Sequence, residues 1–379
     1  MSRASVVEID PSAIAHNLAW LKEQAGGARV LAVVKADGYG HGAVTAAEAA
    51  IAAGADGLCV ALVQEGVELR RAGIEIPVLV LSEQPVEQLG ELVAHGLIAT
   101  AYSARYVDAL ADEARGHDVS GQEVHLKIDT GMNRVGCRPG DASELAGRIL
   151  ARSPHLMLGG VFTHLATADD VDGTETDRQL DRFEGALSEL KRAGIDPGIV
   201  HAANSAATIA HPRARYDMVR VGIAMYGIAP AVSMAERCTS LRPALTLRSK
   251  VSHVKRVAAG EGVSYGLRHR FERPATVATV PIGYADGVPR RSGSTGGSVL
   301  IGGVPRPIVG VVTMDQLVVD CGDDPIRVDD EVVLIGRQGN EQLTVEEWAE
   351  RLGTIGYEIV CQISGRVPRR AVGLPTEQS

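Results

Sequence analysis

Up to about residue 228, short apolar runs rich in β-branched residues alternate with longer stretches in which apolar residues recur every three or four positions. The runs fall at 30–34, 57–62, 77–81, 97–101, 123–128, 158–163, 199–203 and 218–224. Runs of that length, apolar on both faces, predict buried strands. The stretches between them predict helices. "DPSAIAHNLAWLKEQAGG" offers Asp10 as N-cap, Pro11 at the first helical position and glycines to close. "DRQLDRFEGALSELKRAG" sets Leu180, Phe183, Leu187 and Leu190 on one face and also stops at glycine. Eight strands alternating with helices imply parallel βα units, and eight is the number that closes a barrel. A doubly wound open sheet is the competing arrangement, but no G-x-G-x-x-G follows any of the strands.

After residue 240 the pattern changes. "VATVPIGYADG", "SVLIGGVPRPIVGVVTMDQLVVDCG" and "DEVVLIG" read as strands broken by Gly, Pro and Asp-Asp turns, and "RSGSTGGS" (291–298) reads as an exposed hairpin loop. One helix is expected there, "TVEEWAERLG", opened by a Thr344-x-x-Glu347 capping box. The expected organisation is a (β/α)8 barrel of the TIM type over 1–238 and a mainly-β domain over 239–379, with a first strand near 5–9 able to pair with the second domain.

With 379 residues and 45% hydrophobic positions the chain can bury a substantial core. A formal charge of −9 argues against nucleic acid as a partner. No run is apolar enough to cross a bilayer and no secretory leader is expected. The five cysteines are scattered, with no C-x-x-C pair. That predicts reduced thiols, a cytoplasmic location and no metal site. Aromatic residues make up only 3% of the chain, so single tyrosines draw notice.

Barrel enzymes react at the C-terminal ends of their strands. Those ends carry Lys35, Ser82, Tyr102, Lys127 with Asp129, His164, and Asn204 with Ser205, while Arg220 stands just inside the last strand. Each alone is an ordinary polar strand end. Together they form a cationic, donor-rich mouth suited to an anion, above all phosphate. The glycines of "VRVGIAMYG" add backbone N–H groups that can approach it closely. A lysine amine in such a mouth has a lowered pKa and attacks aldehydes, and a phosphorylated aldehyde is what pyridoxal phosphate offers.

"VVKADGYGHG" (33–42) resembles the cofactor-lysine signature of the alanine racemases, the fold-type III pyridoxal-phosphate enzymes. The resemblance continues through "KIDTGMNRVG" (127–136), "THLATADD" (163–170), "HAANSAA" (201–207), "MVRVGIAMYG" (218–227), "GVSYG" (262–266), "PIGYADG" (281–287), "TMDQ" (313–316) and "GYEIVC" (356–361). It implies an isomerase that interconverts L- and D-alanine by two bases and supplies D-alanine for peptidoglycan. By resemblance, Lys35 forms the Schiff base and serves one face of the substrate. Tyr265 serves the other face from the partner subunit of a homodimer with shared active sites; its plain alternative is a structural strand tyrosine. Tyr39, Asn204, Ser205, Tyr357 and the backbone of Gly222 and Ile223 would hold the cofactor, Arg220 would meet its pyridine nitrogen, and His164 would support Arg220. Arg134 and Met314 would bind the substrate carboxylate, with Lys127 and Asp315 supporting. Asp169, Tyr284 and Arg290 would line the entrance.

Lys127 shares a strand face with Asp129, so a carbamate on its amine, as the resemblance implies, competes with a simple ion pair. Two departures stand out. Gly310-Val311-Val312-Thr313 lacks the arginine many relatives carry before "MDQ", which removes a charge partner for Asp169, and Gly365 replaces a tyrosine of some relatives. Rival readings are a decarboxylase of basic amino acids, a non-catalytic pyridoxal-phosphate-binding protein, and a racemase for serine or lysine.

Overall fold

The computed structural model describes residues 3–170 and 172–373. These divide into two compact units, one of residues 14–38 and 43–241, the other of residues 3–13, 39–42 and 242–373. A short strand, β1 (Val6–Ile9), comes first and belongs to the second unit.

The first unit holds β2 (Arg29–Val33), β3 (Gly57–Val60), β4 (Val78–Val80), β5 (Ala99–Ala101), β6 (Gln122–Lys127), β7 (Leu156–Phe162), β8 (Ile199–His201) and β9 (Met218–Val221). All eight expected strands are present, parallel, in the order β4-β3-β2-β9-β8-β7-β6-β5. The two ends of that order meet. Leu79 bridges to Ile98, Val80 N–H donates to Ile98 O at 3.0 Å, and the buried Thr100 hydroxyl donates to Val80 O at 2.6 Å. The sheet is therefore a nearly closed barrel with one thin seam, β4 against β5.

The helices follow the sequence signals. Asp10 Oδ1 caps the helix Pro11–Ala25 by accepting from the Ser12 and Ala13 amides at 2.9 and 3.2 Å. Leu180, Phe183 and Leu190 of the helix Thr174–Arg192 are fully buried, because they form the single apolar stripe of an otherwise charged helix.

The second unit is mainly β. It contains β10 (Leu245–Lys250), β11 (His253–Val257), β12 (Gly262–Val263), β13 (His269–Arg270), β14 (Ala275–Val280), β15 (Ser298–Ile301), β16 (Val304–Val309), β17 (Leu317–Asp320), β18 (Glu331–Gln338), β19 (Glu341–Leu343) and β20 (Arg369–Ala371). The main sheet runs β11-β14-β17-β16-β15-β18-β10-β1-β20, with β1 antiparallel to β10 and parallel to β20. β12 and β13 form a separate hairpin. The helix Val345–Leu352 opens on the expected capping box, Thr344 Oγ1 accepting from Glu347 N–H at 3.1 Å and Glu347 Oε2 from Thr344 N–H at 3.0 Å.

The segment 291–298 is not the exposed hairpin that its composition suggests. β14 and β15 do not pair, and a short 3-10 turn (Ser292–Ser294) tucks in with Ser292 buried and its hydroxyl donating to Pro289 O at 2.8 Å. The reason is steric: Gly293 lies so close against the Gly310 carbonyl that a side chain there would overlap it. Glycine here permits backbone-on-backbone packing and does not mark a flexible tip.

The seam hydroxyl gives a direct test of closure. Thr100→Val keeps the shape and removes the bond to Val80 O, so the urea midpoint should fall by the equivalent of about 1 kcal/mol at unchanged m-value. An unchanged midpoint would show that the hydroxyl adds nothing to the seam.

Candidate active site

β2 delivers the chain to Lys35, and the next residues do not form the open loop their glycines suggest. Ala36, Asp37, Gly38 and Tyr39 have φ of 53°, 52°, 59° and 53°, a left-handed turn in which three of the four residues carry a side chain. That conformation costs roughly 1–2 kcal/mol per non-glycine residue, so something must hold it. Gly38 N–H donates to Val34 O at 2.8 Å, Ala36 N–H donates to the Glu65 carboxylate at 2.6 Å, and the Asp37 carboxylate accepts from Ala43 N–H at 2.8 Å. Further along, Arg369 Nε donates to Gly40 O at 3.1 Å. Lys35 thus starts a strained, tightly restrained turn, the kind of backbone that clusters at functional sites.

Arg220 is the centre of the barrel mouth. It is 4% exposed and donates to His201 Nδ1 at 2.7 Å, Thr163 O at 2.9 Å, Ala202 O at 3.1 Å and His164 Nδ1 at 3.3 Å, over the Phe162 ring. Among the described residues no carboxylate forms an ion pair with it. Burial pushes its pKa down to about 10, which leaves it protonated at neutral pH. His164 is driven well below the usual histidine range by burial and then by the charges of Arg220, Arg134, Lys127 and Lys35, so it is neutral and can accept. Lys127 is buried, donates to Leu81 O at 3.1 Å, and is pushed down to about 7 by burial and by Arg220, Arg134 and Lys35. Burial comes first in the shifts of both His164 and Lys127, and the neighbouring positive charges add to it.

The ion pair of Lys127 with Asp129 does not form: Asp129 Oδ1 instead accepts from the Gly131 and Asn133 amides at 3.0 Å each. Ser82 and Tyr102 are also accounted for, hydrogen-bonded to each other at 3.1 Å.

A backbone cradle stands beside the basic groups. Asn204 caps the helix Ser205–Ala210 by accepting from Ala207 N–H at 2.9 Å, and buried Ser205 accepts from Gly222 N–H through its hydroxyl at 2.8 Å. Ile223 follows at the start of a 3-10 turn. Hydroxyl, glycine amide and an excess of fixed positive charge are the donor set a phosphorylated, electron-withdrawing cofactor requires, so the residues present fit pyridoxal phosphate. Asp169, expected at the entrance, is exposed, and its carbonyl accepts from the Ser233 hydroxyl at 2.9 Å.

The remaining expected residues lie in the second unit. The rings of Tyr39 and Tyr357 are 6.0 Å apart. Tyr265 stands between β12 and β13 and is 72% exposed, after Ser264, whose hydroxyl donates to Val311 O at 2.5 Å. Tyr284 and Met314 are exposed on two segments zipped by the Tyr284 N–H bond to Thr313 O and the Ala285 N–H bond to Met314 O, both 3.0 Å. Arg366 ties Asp315, at 2.7 Å, to the fully buried Asp286, which Arg3 also reaches at 2.6 Å. Arg290 is exposed.

Sequence reasoning missed three residues inside the barrel: His201, which holds Arg220, and His125 and Glu123 behind it. A signal was there. In "QEVHLK" the ionisable residues Glu123, His125 and Lys127 occupy every second position, alternating with Val124 and Leu126.

Comparison with known proteins gives one answer. The family profile described as "Alanine racemase, N-terminal domain" matches residues 9–230, and "Alanine racemase, C-terminal domain" matches residues 244–371. An alanine racemase of Symbiobacterium thermophilum is 50% identical over 368 residues, 97% of each chain. Crystal structures of alanine racemase from Streptomyces lavendulae (TM-score 0.94, 38% identity, 98% of each chain) and from Bacillus anthracis with bound L-Ala-P (TM-score 0.92, 40% identity, 98% of this chain and 96% of that one) share the fold.

Lys127 supplies a pH test. The ordinary lysine value is 10.5 and the folded chain holds this amine near 7. Between those values the unfolded chain carries the proton and the folded chain does not, so stability gained from Lys127 rises with pH across that window, by at most about 1.4 kcal/mol per unit. In CO2-free buffer, Lys127→Met should therefore gain most over the parent below pH ~7 and lose that advantage as the pH climbs. A stability difference flat in pH would show that the amine is not shifted.

Proposed function

Because the chain belongs to the alanine racemase family, we propose that it interconverts L- and D-alanine with pyridoxal phosphate as cofactor, working as a homodimer in the cytoplasm and supplying D-alanine for peptidoglycan. The observation that carries the reading is the buried, carboxylate-free Arg220 in a mouth shared with Lys127, His164 and Lys35. When bound, the cofactor spreads the negative charge left on the α-carbon after its proton is removed.

The chain's own residues do the rest. Lys35 would hold the cofactor through its aldehyde and, once the substrate amine has displaced it, exchange a proton at Nζ on one face of the substrate. Arg220 donates toward the pyridine nitrogen. Because a guanidinium keeps its own proton, it would leave that nitrogen unprotonated, which would moderate the electron sink and disfavour side reactions. Ser205 and the Gly222 and Ile223 amides receive the phosphate, with Asn204, Tyr39 and Tyr357 as further cofactor contacts. Arg134 and the Met314 backbone take the substrate carboxylate.

Racemisation needs a proton site on each face, hence two bases. Tyr265 is our second base. Its ring is largely exposed at a hairpin, as expected of a group that works in another subunit's site. Met314, Tyr284 and Ile355 are exposed on the same unit and supply apolar surface for that association. Asp315 then acts through Arg366, and Asp169, Tyr284 and Arg290 serve the entrance.

Lys127 we read as a carbamate. An amine near pKa 7 is half neutral at neutral pH, so its lone pair can add to CO2, releasing a proton and turning a cation into an anion among Arg134 and Arg220. The cytoplasm suits the five cysteines, none of which is in a disulfide, and among the described residues no helix is long and apolar enough to cross a membrane.

The test is direct. Purified with its cofactor, the protein should be yellow and convert L-alanine to the racemate faster than L-serine or L-lysine, and borohydride should fix the cofactor on the peptide that contains Lys35. Label on Lys127 or Lys255, or decarboxylation of a basic amino acid as the main reaction, would overturn the reading.

A further inference from the structure

The interior of a βα barrel is normally filled by Val, Ile and Leu. Here a line of ionisable side chains crosses it. Arg220 donates to His201 Nδ1 at 2.7 Å, His201 Nε2 lies 2.9 Å from His125 Nδ1, and His125 Nε2 lies 3.0 Å from Glu123 Oε1. His201 and His125 are 0% and 2% exposed, while the Glu123 side chain is 32% exposed at the start of β6. The line therefore runs from the barrel's N-terminal end to its catalytic mouth.

Its direction follows from the chemistry of the end groups. A guanidinium only donates, so His201 Nδ1 must accept and the His201 proton sits on Nε2. That N–H makes His125 Nδ1 an acceptor in turn, which puts the His125 proton on Nε2, facing a carboxylate that only accepts. Both imidazoles are fixed as neutral Nε2–H tautomers, and every bond points the same way. Burial, followed by Arg220, His125 and Lys127, drives the His201 pKa well below the usual histidine range, consistent with its neutrality. The His201 ring is stacked on Phe162, with centroids 4.6 Å apart.

The backbone makes room for the line. The β6–β7 register slips between Val124 and His125, which pair with Leu158 and Gly160, so Gly159 is left over as a bulge. A side chain at Gly160 would put its Cβ 2.9 Å from His125 Nδ1, and one at Gly159 would collide with the Glu123 side chain. Two successive glycines and a bulge, rare between parallel strands, open the space that these two side chains fill.

We propose that Glu123 and His125 are positioning residues for Arg220. The carboxylate at the far end of the barrel sets both histidine tautomers and so guarantees the lone pair on His201 Nδ1 that holds the guanidinium. Without an acceptor at 123, His125 is free to carry its proton on Nδ1. His201 must then turn its own lone pair toward His125 and a proton toward Arg220, which pushes the guanidinium away. The consequence for catalysis rests on the role given to Arg220 above, but the tautomers are a property of this chain alone.

The experiment reads them by 15N spectroscopy of the histidine-labelled holoenzyme, with His125→Gln and His201→Gln used for assignment. At neutral pH both imidazoles should show a pyridine-type Nδ1 and a protonated Nε2. Glu123→Leu should bring up the Nδ1–H form at His125 and, through it, at His201, and lower kcat by about 10- to 100-fold as Arg220 is displaced. Glu123→Gln, whose amide oxygen still accepts, should restore the tautomers and most of the rate. An Nδ1–H imidazole at either position in the parent protein overturns the proposal even if the variants do not fold. So does a Glu123→Leu protein with both tautomers unchanged, or a Glu123→Gln protein that behaves like it. Borohydride labelling at Lys35 is blind to these tautomers, so failure of this proposal and failure of the racemase reading are told apart.

Discussion

The active end of the barrel depends on one constraint, a guanidinium buried without a carboxylate beside it. Arg220 keeps its proton because removing it is harder still, and its neighbours are chosen for lone pairs: two carbonyls and two imidazoles. A buried charge compensated only by dipoles leaves most of its field in the site. Added to burial, that field helps keep His164 neutral, helps bring Lys127 to about 7 and makes the mouth a place for anions. One buried charge thus reinforces what burial does to the groups around it and selects the kind of ligand they can receive.

The second constraint is mechanical. Lys35 begins a left-handed turn that the chain would not adopt unaided, and Glu65 and Asp37 hold it by accepting from the Ala36 and Ala43 amides. Those hydrogen bonds stop the strained backbone relaxing, so the amine keeps its place at the end of β2. The same turn carries the chain from Gly38 in the barrel unit to Tyr39 in the β unit.

Much of this was legible in the sequence, for reasons that differ by residue. The eight strands were readable because a parallel barrel strand is buried on both faces and its apolar run has no alternation to confuse. Lys35, Lys127, His164 and Arg220 were readable because they stand at strand ends, where a polar residue is conspicuous. The line from Glu123 through His125 and His201 to Arg220 was not read, since it joins β6, β8 and β9, and contact across three strands is invisible along one. The polar alternation at 123, 125 and 127 was its only trace. Composition misled where glycine has two uses. Gly293 allows close packing against Gly310 rather than an exposed turn. In the segment after Lys35 the glycines suggested a loop, while the left-handed residues that matter include Ala36 and Asp37. The ion pair expected between Lys127 and Asp129 depended on where the Asp129 carboxylate points, and the tight turn at 129–133 directs its Oδ1 to the Gly131 and Asn133 amides.

The central claim is that each site joins Lys35 of one chain to Tyr265 of another. A Lys35→Ala chain and a Tyr265→Phe chain, each nearly inactive alone, measure it when mixed under conditions that allow subunit exchange. Shared sites predict that racemisation returns, because one site of each mixed dimer then has both an intact lysine and an intact tyrosine. Mixed dimers demonstrated by mass but without activity would place both bases in one chain and contradict the account.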